Sequence, residues 1–348
     1  MTGRERMLRT MEFRNPDRAP RNLWALPWVS QYAAQELATL LARFPSDVEG
    51  VGILGPSDYA RGESCRKGTS IDEWNCPFEV AEDGVVGEVK HPPLADWKAL
   101  DSYRLPWEMI ERNTLDAANR QIDVARAGAD PFMLCGTSIR PFERMQFLRG
   151  TENLYLDLGY ESAEFFRLRD RLHEFWLKEL EVVCRTRADA VSFMDDWGSQ
   201  QSLLISPTQW RSVFKPLYAE YAAMIHRAGK KVMFHSDGCI LDIYEDLIEI
   251  GIDAVNSQLF CMDIQEIARR FKGRITFWGE IDRQHVLPFG TPADVYRAVA
   301  RVRTALDDGR GGVIAECEWG KNNPAANIHA VFEAWDLPLE ELLEKTGA

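Results

Sequence analysis

The chain has 348 residues, 45% of them hydrophobic and 27% charged, which suits a folded globular protein with a large core. A net charge of −13 argues against a surface for nucleic acid or an anionic membrane, either of which requires a basic face. No apolar run reaches the about 20 residues that span a bilayer, and the N-terminus MTGRERMLRTMEF lacks the apolar centre of a signal peptide, so a cytoplasmic enzyme is expected.

Gly3 to Met11 reads as a short helix, Arg21 to Ala25 as a first strand and Gln31 to Leu41 as a helix stopped near Pro45. Residues 51–105, rich in glycine and proline, read as a β-rich excursion inserted in the N-terminal third, with a tight hairpin turn at Asp83-Gly84. Trp107 to Ala127 returns to helix, Pro131 to Thr137 is a short strand, and IRPFERMQFLRGTENLYLDL forms two helices over a pocket rim. Ser162 caps a long amphipathic helix, followed by a strand from Ala190 to Met194 that ends at Asp195 and Asp196. Beyond the helix that Ser206 and Pro207 start and Gly229 stops, strand and helix alternate. The pairs are Lys231 to Phe234 with Ile240 to Ile250, Ala254 to Asn256 with Asp263 to Phe271, Arg274 to Trp278 with Thr291 to Leu306, and Gly312 to Ala315 with Asn327 to Trp335. Buried strands alternating with amphipathic helices imply a parallel sheet. About eight such units predict an α/β fold, a single (β/α)8 barrel over residues 1–348, with its pocket at the C-terminal ends of the strands.

Those ends carry Asp195 and Asp196, then His235 and Asp237 in KVMFHSDGC, then Gln258, then Glu280 and Asp282, and finally Glu316, Cys317 and Glu318. Each has a plain structural explanation alone, as a helix cap, a scaffold histidine or a small buried thiol. Together they match the donors of a catalytic zinc, which takes nitrogen, sulfur and oxygen and keeps one position open. His235 and Cys317 lead as ligands, with Glu280 and Asp237 competing for the remaining place. Asp195 and Asp196 are candidates for proton handling or for orienting the histidine. Gln258, Trp197 and Glu318 are expected to touch substrate. Arg140, Arg144 and Arg149 fit an anion site or solvated helix faces equally well. The seven cysteines contain no CxxC pair and read as free thiols, one or two of them open to a metal. There is no GxGxxG after a strand, no Walker loop and no GxSxG elbow.

DDWGSQ from Asp195, LISPTQW with FKP from Leu204, HSDGCI from His235, DLIEIGIDAVNSQ from Asp246, ITFWGEIDRQHVLPFGTPADV from Ile275 and the closing NPAANIHAVFEAW together resemble the uroporphyrinogen decarboxylase superfamily over nearly the whole chain. The resemblance implies a single (β/α)8 barrel. True decarboxylases of the superfamily have an N-terminal PVWxMRQAGR motif whose arginines grip substrate carboxylates. Here RAPRNLWALPWVSQY stands in its place without the arginine pair, so decarboxylation of a tetrapyrrole is the second reading. The other branch holds zinc-dependent methyltransferases that work with a corrinoid protein; members acting on coenzyme M show His-x-Cys-Gly and a further Cys on the last strand. His235, Ser236, Asp237, Gly238 and Cys317 keep that pattern with Asp237 in place of the first cysteine.

Fewer thiolates make a harder zinc, better suited to an ether oxygen than to a thiol. IDEW from Ile71 and GEVKHPPLADW from Gly87 resemble methyl-donor components, including aryl methyl ether O-demethylases. The resemblance therefore implies a zinc-dependent methyltransferase taking a methyl group from a small methoxylated, aromatic donor to the cobalamin-type corrinoid of a partner protein. A methylcobalamin:thiol methyltransferase is the third reading, a non-catalytic binding member stays open, and so does a homodimeric state.

Overall fold

The computed structural model describes residues 1–347. Eleven strands lie among them: β1 (Arg21–Ala25), β2 (Val48–Val51), β3 (Gly68–Ile71), β4 (Pro77–Val80), β5 (Glu88–Val89), β6 (Phe132–Gly136), β7 (Ala190–Met194), β8 (Lys231–Ser236), β9 (Ala254–Ser257), β10 (Thr276–Trp278) and β11 (Val313–Trp319). Eight of them form one parallel sheet in the order β1-β11-β10-β9-β8-β7-β6-β2. Helices follow most of these strands, so the fold is the expected α/β barrel. No ladder joins β1 to β2. Their seam is bridged where the Asp47 N–H donates to the Arg21 carbonyl at 2.9 Å and the buried Asp47 carboxylate accepts from the Arg21 N–H and from Arg18.

Alternation along each strand sorts the side chains into two cores. Val48, Phe132, Leu134, Ala190, Met233, Ala254, Trp278 and Ile314 fill the barrel lumen, and the helix Gly3–Met11 plugs its lower end with Met7 and Met11. The intervening residues, among them Val191, Phe234, Val255, Phe277, Ala315 and Cys317, join the larger layer between sheet and helices. At the upper end the lumen side becomes polar, and the cup that results holds the candidate site.

Strands β3, β4 and β5 make a separate antiparallel sheet inside the excursion expected at 51–105. Asp83-Gly84 is not a two-residue hairpin: it lies in the longer link between β4 and β5, where the Asp83 carboxylate accepts from the Lys67 N–H and Gly84 packs against Trp28. The turn between β3 and β4 is organised by Asp72, whose Oδ1 accepts from the N–H groups of Trp74 and Cys76. Arg144 and Arg149 are not solvated. Arg144 is buried on Asp72 at 2.5 Å and under Trp74, and Arg149 on Asp157 at 2.7 Å and over Trp97, so both tie the excursion to the barrel helices.

Other boundaries moved for local reasons. The helix expected from Gln31 divides into Pro27–Tyr32 and Ala34–Arg43, and the one expected from Trp107 divides at Asn113 and Thr114, where the Thr114 N–H leaves the helix to donate to the Ile53 carbonyl. The last strand, expected to end at Ala315, continues to Trp319 because β1 pairs with it along Arg21 to Ala25. Removing one partner of a buried ion pair costs roughly 3–5 kcal/mol. Arg144→Ala is accordingly expected to lower the thermal midpoint and to open the β3–β5 sheet to limited proteolysis, both measurable against the wild type.

Candidate active site

The site begins with a chain of hydrogen bonds across three strands. Asn256 on β9 donates its amide to the Trp278 carbonyl at 2.6 Å and to Glu316 Oε2 at 3.1 Å, which turns its oxygen toward His235. His235 Nδ1 lies 2.7 Å from that oxygen and therefore carries the hydrogen. Trp24 packs on the imidazole with ring centroids 5.0 Å apart. Nε2 is left facing Asp196 Oδ1 at 3.4 Å and Asp237 Oδ1 at 3.6 Å.

The two aspartates are held by the loops after β7 and β8. The Asp237 N–H donates to Asp196 Oδ1 at 2.9 Å, and the Gly198 N–H donates to the Asp237 carbonyl at 2.9 Å. Gly198 and Gly238 lie so close that a Cβ on either would strike the other's backbone, and Gly238 sits at φ +80°, where glycine costs nothing. One ligand atom from each of Asp196, His235 and Asp237 falls within 4.8 Å of the other two. Burial opposes a charged imidazole, but Asp196 and Asp237 outweigh it and raise the His235 pKa to about 9. Burial likewise pushes the Asp196 pKa up, and the hydrogen bonds and charge of its neighbours, His235 foremost, bring it below the ordinary value.

Around this trio stands an acidic wall with one cation in it. Arg283, from the loop after β10, donates to Asp237 Oδ2 and, at 3.0 Å, to Glu318 Oε2, and lies 3.8 Å from Glu280 Oε1. With its amide oxygen turned to Arg283, Gln258 accepts from Nε at 2.9 Å. A pocket opens beside these groups between the ends of β9 and β10, lined by Gln258, Phe260, Cys261, Glu280, Arg283 and His285. On the far side Arg140 pairs with Glu143 at 3.1 Å and donates to Met194 Sδ at 2.9 Å.

The family model for uroporphyrinogen decarboxylase (URO-D) matches residues 70–336. The chain belongs to the URO-D family. A methyltransferase from Methanosarcina mazei shares the fold of this URO-D family member at TM-score 0.72, with 14% identity over 97% of this chain and 98% of that one. A glycosylated endo-beta-1,4-xylanase from Gloeophyllum trabeum aligns at TM-score 0.45 and 9% identity, over 92% of this chain and 97% of that one. No curated protein matches the chain in sequence.

The barrel of this URO-D family member brings some of the expected site residues together and separates others. His235, Asp237 and Asp196 converge, and Glu280, Gln258 and Glu318 line the same cup. Cys317 does not join them. On the continuous strand β11 it faces the helix layer while Glu316 and Glu318 face the lumen, and burial, followed by the charges of Glu316, Glu280 and Glu318, pushes its thiol pKa far up. Asp195 also points outward. It accepts from the Phe142 and Glu143 N–H groups at 2.7 and 2.8 Å and from the Tyr218 hydroxyl at 2.5 Å, and so fastens the start of the helix Pro141–Arg149. Trp197 is fully buried, stacked on Phe142 at 4.5 Å, with its indole N–H on Tyr218 at 3.0 Å, so it supports the wall and does not touch the pocket.

Arg283, Asn256 and Trp24 are the site residues that sequence reasoning missed. Zinc titration followed by metal analysis should give about one ion per wild-type chain, retained in Cys317→Ala and lost in the Asp196→Asn, Asp237→Asn double variant. Because the proton on His235 competes with the cation and leaves only as pH rises toward 9, zinc affinity should increase between pH 6.5 and 8.5.

Proposed function

We propose that this URO-D family member is a methyltransferase that removes the methyl group from a small methoxylated, aromatic donor and delivers it to the corrinoid of a separate partner protein. The observation that carries the reading is the convergence of Asp196 Oδ1, His235 Nε2 and Asp237 Oδ1 on one point, with the imidazole tautomer set by Asn256.

This donor set fits a zinc ion. An Nε2 lone pair aimed at two carboxylate oxygens is repulsive unless a cation or a proton lies between them, and one nitrogen with two oxygens is an acceptable zinc sphere that leaves room for substrate. Asp196, His235 and Asp237 would hold the ion, and Cys317 would not. When bound there, zinc supplies a Lewis acid for the leaving oxygen, hard enough to favour an ether over a thiol.

The chain's own residues supply the rest. Arg283 occupies Asp237 Oδ2, which keeps Oδ1 turned toward His235 Nε2, where it would be free to hold the ion. Gln258 and Phe260 present a polar edge and an apolar face to a ring in the adjoining pocket. The corrinoid acceptor and its partner protein rest on the resemblance of the HSDG segment to the corrinoid-linked branch of the family.

Tetrapyrrole decarboxylation, the activity for which the family is named, is disfavoured because a polycarboxylate would meet Asp196, Asp237, Glu280 and Glu318 at the cup. A thiol acceptor is disfavoured because, among the described residues, no cysteine reaches the trio. The zinc-loaded protein, mixed with a methoxylated aromatic and free cob(I)alamin, should form methylcobalamin and the matching phenol. Uroporphyrinogen should be left unchanged. Turnover of uroporphyrinogen without methylcobalamin formation would overturn the reading.

A further inference from the structure

Two carboxylates of the cup are used neither by the cation trio nor by any hydrogen-bond partner able to keep them charged. Glu280 is 3% exposed and Glu316 1% exposed, and in each the Oε1 atom is buried with no hydrogen-bond partner, that of Glu280 having only the Arg283 guanidinium at 3.8 Å. They are neighbours across β10 and β11: Gly279, next to Glu280, packs so closely beneath Glu316 that no Cβ would fit, and the charge of Glu280 raises the proton affinity of Glu316. Neither is bonded to Asp196, His235 or Asp237. Glu280 meets Asp237 through Arg283, and Glu316 meets His235 through Asn256.

The charge balance says what these oxygens hold. On the lumen side of β7, β8, β10 and β11 five carboxylates (Asp196, Asp237, Glu280, Glu316 and Glu318) stand against one guanidinium, that of Arg283. A divalent cation held by Asp196, His235 and Asp237 would bring the positive charge to three and leave two negative charges over. An unpaired buried carboxylate takes up a proton rather than remain charged. Burial pushes Glu280 up to about 7, with Arg283 opposing and Asp237 reinforcing, and pushes Glu316 well above the ordinary carboxylate range. The difference between the two is access: Glu280 lines the pocket, and Glu316 lies behind it.

We propose that Glu280 is the general acid of the methyl transfer, giving its proton to the oxygen that loses the methyl group, and that Glu316 holds the second proton of the pair and refills it. The step rests on the methyl-ether reading above. In a donor R–O–CH3 the cobalt(I) corrinoid supplies the electron pair of the new bond to the methyl carbon and is oxidised to cobalt(III). The C–O bond breaks with its pair on oxygen, and the proton leaves the Glu280 carboxyl to give R–OH. Glu280 remains as a carboxylate beside Arg283 until Glu316 and solvent restore the proton.

Two measurements on the zinc-loaded protein test this. The first needs no substrate: the infrared carbonyl band of a protonated carboxyl should be present at pH 7 in the wild type and diminished in Glu280→Gln, and separately diminished in Glu316→Gln, which serves should Glu280→Gln not fold. The second follows methylcobalamin formation from free cob(I)alamin with 4-nitroanisole and with 4-methoxyphenol, whose leaving groups differ in acidity. Loss of a general acid is expected to slow the reaction by on the order of 10²-fold for the poorer leaving group and by much less for the nitrophenolate. Glu280→Asp should recover part of the loss. Absence of the band, or equal slowing with both donors, overturns the proposal. A wild type that demethylates neither donor overturns the methyl-ether reading and the catalytic step with it, and is distinguished from failure of the proton assignment because the band is read without substrate.

Discussion

The amide of Asn256, held on the Trp278 carbonyl and the Glu316 carboxylate, is the contact on which the site depends. It decides which nitrogen of His235 carries hydrogen and so which one faces the cup. Without it the neutral imidazole could keep its hydrogen on Nε2; with it, Nε2 is the nitrogen that gives up its proton when the ion pair with Asp196 and Asp237 yields to a cation. The same bond reaches Glu316, so the cation trio and the buried proton pair share one support across β8, β9, β10 and β11.

Electrostatics then separates two tasks within a cup of mostly acidic groups. Asp196 is held below the ordinary carboxylate range, against the effect of its burial, by His235 and the Asp237 N–H, and Arg283 donates to Asp237. Glu280 and Glu316 are raised because burial is not offset at their free oxygens. Pairs of carboxyl groups driven apart in this way commonly mark acid and base roles. Arg283 stands between the two sets, touching Asp237 on one side and approaching Glu280 on the other.

Much of this was legible in the sequence where backbone periodicity governs position. The strands at Lys231, Ala254 and Thr276 follow from short apolar runs before helices, and spacing of two put His235 and Asp237 on one face. The same parity separates the adjacent Asp195 and Asp196, of which only the second enters the cup. Cys317 was misplaced because the strand was expected to stop at Ala315; pairing with β1 extends it, and across an unbroken strand the Cys317 thiol must face away from Glu316 and Glu318. Arg283 and the true turn of the β3–β4 hairpin were not legible, since each depends on a loop path set by contacts with distant residues. Trp197 was misread for a related reason: a tryptophan beside an acidic pair reads as pocket lining until its neighbours Phe142, Phe214 and Tyr218 are in place.

Anomalous scattering at the zinc edge, from a crystal of the zinc-loaded protein, tests the account most directly. The account predicts one peak bounded by Asp196 Oδ1, His235 Nε2 and Asp237 Oδ1. A peak on Cys317 Sγ, or none near His235, would contradict it.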